Sequence, residues 1–440
     1  MLPIACLALA LAPAPFADHW VGPPGSGHPY QTIQAAVDAA QPGDRVFVES
    51  GDYGPVLIDK PLQLSGRGSS QTRILAPAGS IPIEIVGNGS GLLVRLSNFE
   101  LGTVAGVDAS PPAFVRATGV LGPMEFCDLK IVRAEHDAHP TGGAYLDFAG
   151  CTRTFLSSVR VVTTAGPAGS DLGGLPLSAL RAQSSNVWFS DGRLEASRAP
   201  TDAGALEVPG AHAIELIGSK FTLALCDVQA GNRSGPPGAL TGGDGLHLVA
   251  STLDLHGGKT NRLAGGDADA DGPAGQLLAG AALFLDGTSS ARWGSDVVFA
   301  PGEGPNSATQ IAVVAQSGAQ TNPRPDRLPS MWIADPTPKV GVDQGVFLEG
   351  DPGAIHFWWL ALYTGTPIPL PGIEGVLLLD LILIVNHAPI VLNQDGLGSD
   401  VASSPADPVL GGLMLSYQSL EYDGVNLQLA PPWFITFSLD

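Results

Sequence analysis

Between residues 96 and 230 one six-residue pattern returns five times: apolar, Ser or Cys, polar, apolar, polar, apolar. It reads LSNFEL at 96–101, FCDLKI at 126–131, LSSVRV at 156–161, FSDGRL at 189–194 and LCDVQA at 225–230. Ser97, Cys127, Ser157, Ser190 and Cys226 mark its second place, 30, 30, 33 and 36 residues apart, and weaker members follow around His256 and Ser295. Alternation at period two makes each unit a strand, and the intervals are too long for hairpins. Like strands recurring at such a period stack in parallel, each turn of chain burying its apolar side against the next.

The columns of this alignment predict which side chains face inward. One place before the marker stand Leu96, Phe126, Leu156, Phe189 and Leu225; two places after it stand Phe99, Leu129, Val159, Gly192 and Val228. Three places after it come Glu100, Lys130, Arg160, Arg193 and Gln229, a polar column facing water. A second strand precedes each unit, as in PIEIVG from Pro82, AYLDF from Ala144 and GLHLV from Gly245. Loops of Gly, Pro, Asp and Ala join the turns, which is where many of the 57 Gly and 38 Pro reside. An all-β chain is expected, a right-handed parallel β-helix over 18–300, with a last irregular rung and linker over 301–330.

The stretch YQTIQAAVDAAQPGDRVFVESGDYGPVLIDKPLQLSGRGSSQTRIL, residues 30–75, resembles the first rungs of secreted bacterial β-helix proteins of the pectin-lyase-like superfamily. The resemblance implies a short capping helix at 33–40, a PGD turn, and a first strand ending in a GxY turn. It implies the fold far more than the activity, because lyases, hydrolases, esterases and non-catalytic binding proteins share it. Esterase, polygalacturonase and lyase motifs are not matched: the solenoid stretch has no Gln-Asp motif, and the chain has no Arg-Pro-Trp motif and no Arg-x-Lys.

From Met331 the period disappears. Apolar strands return at uneven spacing (346–348, 355–363, 375–385, 412–418, 426–429, 434–439), so a C-terminal β-sandwich is expected over 331–440. Its segment 406–422 resembles accessory domains that end secreted solenoid proteins. Residues 1–17, an apolar run with small residues near its end, read as a signal peptide although no Lys or Arg precedes Arg45. The only other long apolar stretch, 373–385, is too short and carries Glu374 and Asp380, so no transmembrane span is expected. Secretion or display at the cell surface is the expectation, and the sequence leaves the oligomeric state open.

Charge narrows the partners. Net charge is −21, with 21 Lys and Arg against 42 Asp and Glu. Such a surface repels phosphate backbones and anionic lipid, which excludes nucleic acid. An outward column two places before the marker reads Arg95, Glu125, Phe155, Trp188, Ala224 and Asp254; Phe155 and Trp188 on adjacent rungs are the candidate carbohydrate-binding residues, an aromatic pair for sugar rings. Asp267, Asp269 and Asp271 alternate before Gly272 as hard oxygen ligands do around calcium, the one cofactor expected, although Leu278 stands where an EF-hand has its Glu. His247 and His256 are too isolated in the sequence to read as metal ligands and are expected as turn or surface histidines. No catalytic residue is assigned. The chain reads as a non-catalytic binder of extracellular polysaccharide or an adhesion protein, the alternative being a polysaccharide lyase or glycoside hydrolase acting on acidic or plant and algal glycans.

Overall fold

The computed structural model describes residues 17–437 apart from 78, 88–92, 105–110, 135–137, 140–141, 165–174, 198–209, 233–241, 258–260, 268–278, 304–311, 362–363, 380–384, 405 and 407–411. Most of the expected signal segment lies outside the described residues. So do Asp269 and Asp271.

The repeat builds a parallel β-solenoid. One sheet of 15 described strands runs from Asp18–Val21 through Val94–Thr103, Pro123–Ala134, Arg153–Thr164, Asn186–Glu195 and Lys220–Gln229 to Gln320–Pro323, in sequence order along its main path. A second sheet of nine described strands takes the preceding segments, from Val56–Ile58 to Val313–Ala315, also in sequence order. The helix Ile33–Ala39 caps the first turn: the Thr32 side chain accepts the Ala35 N–H, and Ile33, Ala36 and Val37 are buried. Between the sheets one apolar core runs the length of the solenoid.

The long strands bend one residue after the marker. Asn98, Asp128, Ser158, Asp191 and Leu225 there have φ of 67°, 48°, 54°, 54° and 56°. Asn and Asp tolerate this left-handed corner because a short polar side chain can bond locally. Leu has no such means, and the fifth rung hid its corner accordingly. Phe189 pairs with Leu223, Ser190 with Ala224 and Gly192 with Cys226, so the unit begins two residues earlier than the sequence pattern implied. The slide keeps Phe221, Leu223 and Val228 inward, so alternation at those places could not detect it, but it puts Leu225 at the corner and turns Cys226 inward. Leu64, Leu96, Phe126, Leu156, Phe189, Leu223 and Leu255 form the inward column. Leu225 instead joins the core of the terminal domain, while Cys226 lies inside the solenoid.

Gly192 interrupts a column of Phe, Leu and Val for a local reason: a Cβ there would run into the Phe189 ring and the Val159 carbonyl. Gly192→Ala is therefore expected to lower stability by about 1–3 kcal/mol, the usual cost of overpacking, as read in a denaturant melt.

Where the chain leaves the long sheet and re-enters the second, glycines bring backbones together. Gly231 N donates to Ala211 O at 2.9 Å, Gly243 N to Gly231 O at 3.1 Å, Gly266 N to Gly243 O at 2.8 Å, Gly280 N to Gly266 O at 2.9 Å and Gly302 N to Gly280 O at 3.0 Å. A Cβ at Gly243 or Gly266 would overlap a neighbouring carbonyl, so the approach requires glycine.

From Ser330–Ile333 onward the pairing is antiparallel. Gln344–Glu349 lies between Ser330–Ile333 and Leu397–Ala402, and Ile355–Ala361 pairs with Met414–Tyr422, which also carries Leu427–Leu429 and Trp433–Thr436. These sheets enclose Trp358, Trp433, Val346, Leu348 and Ile435 in the manner of a sandwich.

Candidate functional site

The terminal domain lies against the outward face of the long sheet, over the marker column itself. Ser157 Oγ donates to Phe434 O at 3.3 Å and Ser190 Oγ to Pro432 O at 3.0 Å, and Gln63 Nε2 donates to Gly412 O. Cys127 faces Phe434 O with its Sγ at 3.7 Å, and burial pushes its thiol pKa up. The small Ser, Cys and Ala residues of this column leave room for a second layer. All three described cysteines are buried thiols.

This contact corrects the expected sugar platform. Phe155 and Trp188 do stack on adjacent rungs, with centroids 4.8 Å apart and planes at 19°. Phe155, however, is fully buried, its ring 5.6 Å from that of Phe434 and packed with Cys127, Leu378 and Met414. Further down the same column Arg95 and Glu125 form a covered ion pair at 2.6 Å. Those three positions face protein. Trp188 alone of the aromatic pair keeps part of its ring free.

The free part opens into a cleft of about 280 Å³ between the two domains. Asn186, Lys220, Thr222, Thr252 and Asp254 line it from the solenoid, because outward side chains on successive rungs stand about 4.8 Å apart. Val376, Leu378 and Pro431 line it from the sandwich. Its far end is closed by Arg292, which binds Asp254 at 2.9 Å and also Glu374, itself bound by Arg324. Beside them His256 is buried, its Nδ1 3.2 Å from Pro329 O, and burial lowers its pKa to about 4. Among the described residues lining the cleft, Asp254 is the single carboxylate. An apolar ring face, one lysine and several amide and hydroxyl groups suit a polyhydroxylated ligand.

Other acidic groups lie elsewhere. Asp267 is held by Asn232, whose side chain donates to its carboxylate at 3.2 Å and accepts its N–H at 2.9 Å, and it takes the Glu303 N–H at 2.7 Å. It fastens neighbouring turns of the solenoid in this way. At the corners, burial raises the carboxyl pKa values of Asp128 and Asp191, and Ser158 Oγ donates to Asp191 at 2.6 Å. His247 is not isolated: Asp244 Oδ2 lies 2.8 Å from its Nδ1, and the ring of His212 stacks on it at 4.2 Å. The sequence contained Asp244 and His247 as neighbours, but His212 reaches them only through parallel pairing of Ile214 with Leu246.

No family model matches the sequence, and no curated protein matches it either. Among solved structures the chain is similar to full-length tailspike protein 2 of Escherichia coli O157:H7 bacteriophage CAB120. The two are 11% identical with a TM-score of 0.22, over 96% of this chain and 69% of that one.

Proposed function

We propose that this is a secreted or surface-displayed β-helix protein of the pectin-lyase-like kind that binds extracellular polysaccharide without cleaving it. The observation that carries the reading is the interdomain cleft, where the half-exposed Trp188 ring meets Asn186, Lys220, Thr222 and Asp254. A tryptophan backed by a second ring offers a rigid apolar platform for a sugar face, and the groups around it can bond hydroxyls. A hydrolase needs two carboxylates flanking the bond it breaks, roughly 5–9.5 Å apart. Among the described residues lining this cleft Asp254 is the single carboxylate, and it is engaged by Arg292. The apolar run over residues 1–17 supports export.

Trp188→Ala is expected to abolish retention of the bound polysaccharide on a glycan panel while the folded baseline in circular dichroism is unchanged. The same panel, assayed for new reducing or unsaturated ends, is expected to show none. Retention equal to wild type would remove the cleft from the binding surface, and released ends would favour the lyase or hydrolase reading.

A further inference from the structure

At the second sheet, away from the long-sheet face that lines the Trp188 cleft, three side chains from two rungs converge. His212 and Asp244 occupy equivalent places on successive turns, and His247 follows Asp244 by three residues. Asp244 Oδ2 lies 2.8 Å from His247 Nδ1 and 3.4 Å from His212 Nδ1. One ligand atom from each of the three residues falls within 4.8 Å of the others. The set is held in place from outside: Asp244 Oδ1 accepts the Ala281 N–H at 2.9 Å, and the His247 ring lies flat on Phe284, 4.5 Å away at 4°.

We propose that His212, Asp244 and His247 form a binding site for a divalent transition cation of borderline softness, of the zinc, cobalt or nickel type. Two arguments carry this. Two imidazoles and one carboxylate are the donor set such ions prefer, whereas calcium and magnesium take oxygen alone. Ligand atoms about 2.0–2.1 Å from a tetrahedral metal lie roughly 3.3 Å from one another, and the two nitrogens stand at comparable distances from one shared oxygen. His212 Nδ1 also accepts the Asp244 N–H at 3.0 Å, a bond that the cation would displace. The cation would take the place of the His247 Nδ1 hydrogen bond to Asp244, and the neutral ring would then carry its proton on Nε2. The side chains of His212 and His247 are 31% and 23% exposed, which leaves the remaining coordination position facing solvent. Three protein ligands with an open fourth place make a site that can accept water or a ligand oxygen.

The experiment uses the full chain, stripped with chelator and titrated with zinc, nickel or cobalt chloride by calorimetry, with the visible spectrum recorded for cobalt. The expected result is one equivalent bound per chain, a raised melting temperature and an intense d–d band of low-symmetry cobalt. His247→Phe keeps the stack on Phe284 and Asp244→Asn keeps an acceptor for Ala281; each is expected to weaken binding at least tenfold without unfolding the chain. Failure of the wild type to bind any of the three ions, or binding unchanged in both variants, would overturn the assignment. Calcium titrated in parallel is expected to give no heat at this site, and calcium binding lost in the same variants would equally overturn it.

Discussion

Arg95→Met is expected to destabilise the protein by about 3–5 kcal/mol, because it removes the guanidinium that meets Glu125, a carboxylate with no exposure to water. The two side chains meet at 2.6 Å beneath the terminal domain, and Arg95 also donates to Met414 O at 3.3 Å. The double variant Arg95→Met, Glu125→Leu removes both charges from the same enclosed space, so it is expected to recover most of the loss. Replacing a buried pair by apolar groups is often neutral or better. Equilibrium urea melts of the two singles and the double, combined as a cycle, check this. A double variant as unstable as Arg95→Met would mean that the arginine acts through its contact with the terminal domain and not through Glu125.

Leu156→Asp is expected to have the larger effect and to prevent folding of the middle rungs. Leu156 has no exposure and pairs in register with Phe126 on one side and Phe189 on the other. A leucine lost from a core costs about 2–5 kcal/mol through transfer and cavity terms. A carboxylate added there has no partner, so its desolvation comes on top of that loss. Loss of soluble expression, or a melting transition displaced by many degrees beyond that of Leu156→Ala, is the expected observation. Stability equal to that of Leu156→Ala would place this column at the surface.

The solenoid was legible because its period is written in side chains that must face inward on every turn. The pairs Leu96 with Phe126 and Leu156 with Phe189 are those that the column alignment demanded. At Leu225 the same evidence failed, since alternation does not fix the register or locate the corner where the inward face changes parity, and a leucine sits in a corner that Asn, Asp and Ser otherwise announce. The sandwich was legible as a set of apolar strands, yet Leu397–Ala402 was missed: LGSDVA has no apolar alternation and one strong β-former, Val401. The candidate site was half legible. The stacking of Phe155 on Trp188 follows from rung spacing, but burial of Phe155 depends on a domain more than 170 residues further along the chain, which local pattern cannot place. The Ser, Cys and Ala marker column held a clue, since small residues repeated on an outward face accommodate a covering layer. His212 reaches Asp244 and His247 only across a rung, at a separation no short motif spans.

The glycine contacts at the feet of the loops separate what the chain may vary from what it must keep. Gly231 and Gly243, like Gly266 and Gly280, are clamped backbone to backbone where each excursion leaves and rejoins the solenoid. The rungs therefore register only the two fixed ends of each excursion. Doubling the length of a flexible excursion between fixed ends costs about 0.6 kcal/mol of closure entropy. Insertion, deletion or exchange of sequence between these clamps is expected to leave the frame unaltered so long as Asn232, Gly242 and Asp267, which join neighbouring turns, are kept. A lineage could change what this flank of the protein meets while the column of Leu156 and Phe189 stays as it is.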